Sequence, residues 1–323
     1  MDVTAMITKI DSSISRRHFL GSSSLAAAVT LLDPSHAFAE VDGLVARARK
    51  EGAESKIALQ PLRGEVSVLI GAGGNIAVLT GRDGKLLVDA GYAGSHVKIG
   101  DTLASIDSRP IKHLINTHWH FDHTDGNEWL HSAGATIFAH ENTRKYLSTP
   151  TRVKAWGFTF PPSPPGAIPT EVFTTERTLD FDRTQIALKH FAPAHTDGDI
   201  SVHFANADIL HVGDTFWNGY YPFVDYSTGG SIDGMIRATE ITLAKVTDKM
   251  VIIPGHGPVA DKSQLSFYCD LLVNVRDKVA SLKKQGKSLD EVLAAKPTAP
   301  YDAKWGGGFT SPTMFTRLVF EGV

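Results

Sequence analysis

The apolar residues of this chain fall into two groups of short runs, and between the runs lie stretches in which apolar positions recur every three or four residues. In the first group, residues 66–80, 85–90, 111–116 and 135–139 read as strands, and 95–106 and 126–132 read as helices. In the second, residues 184–191, 200–205, 209–212 and 250–253 read as strands, with helical spacing over 235–246 and 262–285. Strands alternating with helices are the pattern of a layered α/β domain. One segment breaks it. Phe158-Thr159-Phe160-Pro161-Pro162-Ser163-Pro164-Pro165-Gly166 is expected to be irregular, because proline fixes φ and removes a backbone donor; with Trp156 it is a candidate pocket wall or a plain connecting loop.

Several strand-like runs end in polar residues that packing does not require. The run 111–116 is followed by Thr117-His118-Trp119-His120-Phe121-Asp122-His123, with three imidazoles and one carboxylate close together. That is the composition of a metal site. His118 and His120, two apart on extended chain, point the same way, while Asp122 and His123 follow where the chain turns and can hold a second ion. Three later segments have the same character: Ala194-His195-Thr196-Asp197-Gly198-Asp199, Val212-Gly213-Asp214-Thr215 and Pro254-Gly255-His256-Gly257-Pro258. Taken alone, Asp214 reads as a helix cap and His256 as an ordinary surface histidine; the four segments together favour metal binding. Asp89, ending the run 85–90, is a candidate orienter of a ligating histidine, or else caps the next segment. Thr117 and Asp125 can add hydrogen bonds to the loop, and Asp125 can equally cap a helix. His96, His113, His131, His140, His190, His203 and His211 lack such context and are assigned structural roles.

In this order the segments resemble the metallo-β-lactamase fold superfamily, over roughly residues 66–256. The resemblance implies a four-layer αββα sandwich, a single α/β domain over residues 40–323 with a C-terminal helical extension. It implies that His118, His120 and His195 bind one ion, that Asp122, His123 and His256 bind another, and that Asp214 bridges them. Imidazole and carboxylate donors suit zinc, and also manganese or iron, and no cysteine lies in the cluster. Two Zn2+ ions are therefore the expected cofactor, with Mn2+ or Fe2+ as alternatives. The activity so implied is hydrolysis by a metal-bridging hydroxide, with Asp122 and Asp214 as the catalytic carboxylates.

The substrate is sought in the residues around the cluster. Trp119, Trp217, Tyr220 and Tyr221 are the candidate pocket residues, Trp119 packing beneath or beside the site. Zinc β-lactamases commonly carry Cys where Asp214 stands and Lys three residues later, where this chain has Trp217. The basic residues that follow the bridging Asp in glyoxalase II are here Trp217-Asn218-Gly219-Tyr220-Tyr221. An uncharged or amphipathic ester, lactone, thioester or amide is the expected small-molecule substrate. β-Lactamase activity, or a mononuclear-iron persulfide dioxygenase-like oxidoreductase, is the alternative.

The amino terminus bears on location. Ser15-Arg16-Arg17-His18-Phe19-Leu20 leads into a mildly apolar stretch too short to span a membrane, and Ala37-Phe38-Ala39 supplies a small-x-small cleavage pattern. This resembles a twin-arginine signal over residues 1–39. It implies the Tat export machinery as a partner, a periplasmic or secreted enzyme, and no stable membrane insertion after cleavage. The formal charge of −3 makes nucleic acid an unsuitable partner. Hydrophobic residues are 42% of the 323, enough for one large core, and the lone Cys269 reads as a buried thiol.

Overall fold

A computed structural model describes residues 42–323; the export signal expected over residues 1–39, with Arg16, Arg17 and the cleavage motif, lies outside the described residues. After a helix at Asp42–Glu54 come β1 (Ala58–Pro61), β2 (Val66–Ile70), β3 (Ile76–Gly81), β4 (Gly84–Val88), β5 (Ile111–Ile115) and β6 (Thr136–His140). Then follow β7 (Thr151–Val153), β8 (Phe158–Phe160), β9 (Glu171–Phe173), β10 (Glu176–Phe181) and β11 (Thr184–His190). The last strands are β12 (Ile200–Phe204), β13 (Ile209–His211) and β14 (Val251–Ile253). One sheet has the order β1-β2-β3-β4-β5-β6-β9 and a second the order β10-β11-β12-β13-β14.

The alternation of side chains along each strand assembles four layers. On β4, Leu86 and Val88 face the second sheet and pack with Ile186, Leu188, Val202 and Phe204. Leu87, between them, faces outward and packs with Val78, Leu114, and Ile99 and Leu103 of the helix His96–Ile106. The far side of the second sheet, including Leu210 and Ile252, is covered by helices Ile232–Lys245, Lys262–Lys284 and Pro312–Gly322 through Met235, Leu272 and Phe315. This is the αββα sandwich, in a single domain. Two stacked sheets with apolar outer faces must each bury the second face under helices. Asp261 and Gln264 close a capping box at the start of the longest helix, fixing where it begins.

Three details differ from the sequence expectation. Residues 66–80 form two antiparallel strands rather than one, because Gly71 and Gly73 adopt φ of 109° and 117° and turn the chain between β2 and β3. The segment 158–166 is not irregular throughout: Phe158, Thr159 and Phe160 pair with β7 before the first proline removes a donor. The helix expected over 126–132 runs Asn127–Ser132, preceded by a separate turn at Phe121–Thr124 inside the ligand-type loop. No helix among the described residues is long and apolar enough to cross a membrane.

Candidate metal centre

The ligand-type residues sit where strands of both sheets end. The loop His118–His123 follows β5, His195 follows β11, Asp214 lies in a one-turn helix after β13, and His256 follows β14. Strands β4 and β5 run parallel, as do β13 and β14, so their carboxyl ends open on the same edge of the sandwich. One donor atom from each of His118, His120, His195 and Asp214 lies within 4.8 Å of the others, and the same holds for Asp122, His123 and His256. Asp214 faces both groups. Its Oδ2 is 3.4 Å from His195 Nε2 and 3.8 Å from His118 Nε2, while its Oδ1 is 3.1 Å from His123 Nε2 and 3.4 Å from His256 Nε2.

Outer partners turn a lone pair of each of four imidazoles inward. His123 Nδ1 donates to Asp89 Oδ2 at 2.7 Å, and His195 Nδ1 donates to the Phe223 carbonyl at 2.8 Å. His118 Nδ1 donates to Thr117 Oγ1, which itself donates to Asp89 Oδ2 at 2.8 Å. His120 Nε2 donates to Asp225 Oδ2 at 3.1 Å. With those protons committed outward, His120 Nδ1 and His195 Nε2 face one another at 2.8 Å as two lone pairs. His118 Nε2 and Asp214 Oδ1 are buried with no hydrogen-bond partner at all. Buried acceptors gathered without a donor are costly unless a cation takes the donor's place. Donors around a tetrahedral ion at ~2.1 Å sit ~3.4 Å apart, close to the 3.4 and 3.8 Å separations around Asp214. The donor set therefore fits a divalent metal.

Backbone geometry serves the same arrangement. Asp89 is held at φ 65°, in the left-handed region that Asp tolerates, and its carboxylate also accepts from Thr117 N at 2.7 Å. Gly255 is required by close approach: a Cβ there would lie 1.9 Å from Asp214 Oδ1. Asp199 secures the His195 turn by accepting from the backbone N–H groups of His195 and Thr196 and from Thr196 Oγ1. Burial pushes its pKa up to about 6.

The electrostatics show groups that compensate one another. Burial alone would raise Asp214, but His256, His123, His118 and His195 outweigh it and hold the carboxyl well below the usual range. Burial likewise opposes charge on His256, yet Asp214 and the hydrogen bond to Asp122 raise it to about 9. His123 is raised in the same way, against burial, by Asp214, Asp122 and Asp89. His118, with burial as the largest influence and other imidazoles close by, is pushed well below its ordinary value. Without metal, the Asp122/His123/His256 side takes up protons where a cation would fit.

The sequence pattern of the metallo-beta-lactamase superfamily matches residues 69–259, more than half of the chain. The chain belongs to the metallo-β-lactamase superfamily. Among superfamily relatives, a probable metallo-hydrolase of Methanocaldococcus jannaschii is 27% identical over 192 residues, 56% of this chain and 87% of that protein. The 2,4-dinitroanisole O-demethylase subunit alpha of Nocardioides sp. is 26% identical over 170 residues, 51% of this chain and 48% of that protein, so the match spans about half of that subunit. Among solved structures, a metallo-β-lactamase from Pontibacter korlensis superposes with TM-score 0.55 at 18% identity, covering 68% of this chain and all of that one. The sec-alkylsulfatase of a Pseudomonas sp. superposes with TM-score 0.61 at 14% identity, covering 82% of this chain and 50% of that one. At such identities these two establish the fold alone.

Not every candidate pocket residue lies in the cleft above the cluster. Trp217 and Tyr220 line it. Trp217 also packs against His256, the rings tilted by 40° with centroids 4.1 Å apart. Tyr221 does not: it is fully buried, stacks on Phe315, and donates to Asp302 Oδ1 at 2.9 Å, with the Thr298 carbonyl as the alternative acceptor at 3.1 Å. The chain turns at Asn218-Gly219, where Gly219 adopts φ 86°, and beyond that turn Tyr220 lines the cleft while Tyr221 enters the helical layer. Trp119 is likewise off the wall, buried behind the loop against His120 and Phe160, with Nε1 donating to Thr228 Oγ1. Trp156 does form wall, with Phe223 stacked on it. The sequence reading missed Asp225, whose partner His120 is 105 residues away. Only the local pattern Asp225-x-x-Thr228 was visible there, and it gives no hint of a histidine partner.

Proposed function

We propose that this chain is an exported, zinc-dependent binuclear hydrolase that cleaves the acyl–oxygen, acyl–sulfur or acyl–nitrogen bond of an uncharged ester, lactone, thioester or amide. The observation that carries the reading is Asp214, with one carboxylate oxygen turned to each donor group. His118, His120 and His195 would hold one ion, Asp122, His123 and His256 the other, with Asp214 between them. Two divalent cations there supply Lewis acidity and lower the pKa of water toward 7. The protein's own contribution is orientation. Asp89, Thr117, Asp225 and the Phe223 carbonyl hold His118, His120, His123 and His195 each in one tautomer, and Trp217 buttresses His256. Asp214 and Asp122 keep their charge at neutral pH, since the surrounding imidazoles overcome the effect of burial on each.

An uncharged substrate is favoured by the wall. Apart from the donor residues, the only charged side chains lining the cleft among the described residues are Arg47 and Glu51, which face each other at 3.9 Å with 69% of each exposed. The neutral aromatic ether named for the demethylase relative has the same character. Elemental analysis of protein from its native compartment tests the metal assignment, with about two zinc ions per chain expected. About one iron per chain would favour oxygen-dependent sulfur chemistry instead. Turnover of a neutral lactone, a thioester and a cephalosporin tests the substrate class, and activity confined to the cephalosporin would overturn it.

A further inference from the structure

The cleft above the donor atoms, about 620 Å³, is walled in part by two segments outside the superfamily match. One is the helix Asp42–Glu54, which contributes Leu44, Ala48 and Gly52; the other is Gly307-Gly308-Phe309 near the carboxyl end. Each is seated on an aromatic wall residue through a glycine. A Cβ on Gly52 would come within 2.0 Å of the Tyr92 ring, and one on Gly308 within 2.7 Å of the Tyr220 ring. Phe309 then sets its ring edge-on to Trp156, with centroids 6.0 Å apart.

The helix is fastened to the metal-type loop itself. Arg49 Nε and Nη2 donate to Asp125 Oδ2 and Oδ1 at 2.7 and 2.9 Å, and the guanidinium lies over the Phe121 ring. Asp125 is two residues beyond His123, so the wall and the donor residues share one scaffold. This bidentate pair is planar and directional, which fixes the helix in rotation as well as in position.

We infer that the helix Asp42–Glu54 and the Gly307–Phe309 segment together select an uncharged substrate with an extended apolar acyl chain. The chain packs against Leu44, Ala48 and Phe309 while its carbonyl reaches the donor cluster. The inference rests on the carbonyl-hydrolase reading above. A cleft of this size is in the ~300–1,000 Å³ range that encloses drug-sized ligands, far more than an acetyl group fills. Each methylene buried there strengthens binding roughly fourfold.

The test uses the full chain, zinc-loaded and chelator-treated, with Ala48→Glu and Phe309→Ala as variants on the two segments. Binding of N-phenyl-1-naphthylamine, a neutral apolar fluorophore, is measured alongside kcat/KM for p-nitrophenyl acetate and p-nitrophenyl octanoate. Circular dichroism confirms folding, with Leu44→Ala as the substitute if Ala48→Glu misfolds. Probe binding weakened about fivefold or more in both variants, with an octanoate-to-acetate ratio lowered about tenfold, supports the inference. Wild-type-like probe binding, or an unchanged ratio, overturns it. If neither ester is turned over while probe binding still responds to the variants, the carbonyl-hydrolase reading falls and the apolar cleft stands.

Discussion

Asp225 Oδ2 lies 3.1 Å from His120 Nε2 with both side chains buried, and the same oxygen accepts from Thr228 Oγ1 at 2.7 Å. The carboxylate therefore chooses the His120 tautomer and directs Nδ1 into the cluster. Outer partners of this kind are worth about 10–100-fold in metal affinity. Asp225→Ala is expected to lose affinity in that range, and Asp225→Asn less, since the amide oxygen still accepts. Titration against a chromophoric chelator measures both; equal affinity in wild type and Asp225→Ala would show that the contact orients nothing.

Asp214 is the residue shared by the two donor groups. Asp214→Ala is expected to reduce metal content and turnover together, from about two ions per chain toward one or none. Elemental analysis paired with kcat on the best substrate checks this. Full occupancy at normal rate is incompatible with a bridging carboxylate.

Proton uptake by the metal-free site gives a pH dependence with a definite sign. Burial opposes charge on His256, but Asp214 and Asp122 raise its pKa from 6.5 to about 9. A folded-state pKa above the unfolded one stabilises fully below about pH 6.5, and the benefit is lost as pH rises through about 9. In chelator, the Tm advantage of wild type over His256→Gln should therefore shrink between about pH 6 and pH 10. Metal must displace the same protons, so apparent affinity should climb over that interval. A Tm gap independent of pH would contradict the account.

Export is the expectation attached to residues 1–39. Replacing both Arg16 and Arg17 by Lys should leave uncleaved precursor in the cytoplasm, read by fractionation and immunoblot. Undiminished delivery to the periplasm would remove the twin-arginine reading.

The seven donor residues were legible in sequence because the signal is local: His and Asp beside glycines or turns, directly after apolar runs. The layered α/β class was legible for the same reason, since strand and helix periodicities are properties of neighbouring residues. Across a turn the same signal failed. Residues 66–80 read as one strand because both arms of the hairpin are apolar, and only the left-handed Gly71 and Gly73 separate them. Tyr220 and Tyr221 are indistinguishable by type, yet one lines the cleft and the other is buried against Phe315.

By itself, then, the sequence determined which donors exist, that each follows an apolar run, and the alternation of elements that makes a sandwich. Only the tertiary structure decided which partners orient them and what covers them. Asp225 meets His120, Arg49 meets Asp125, and Phe309 meets Trp156 across separations of 105, 76 and about 150 residues. Such contacts carry no periodicity. They depend on where two sheets and their flanking helices bring distant loops to one edge, and that is set by burial of the core as a whole.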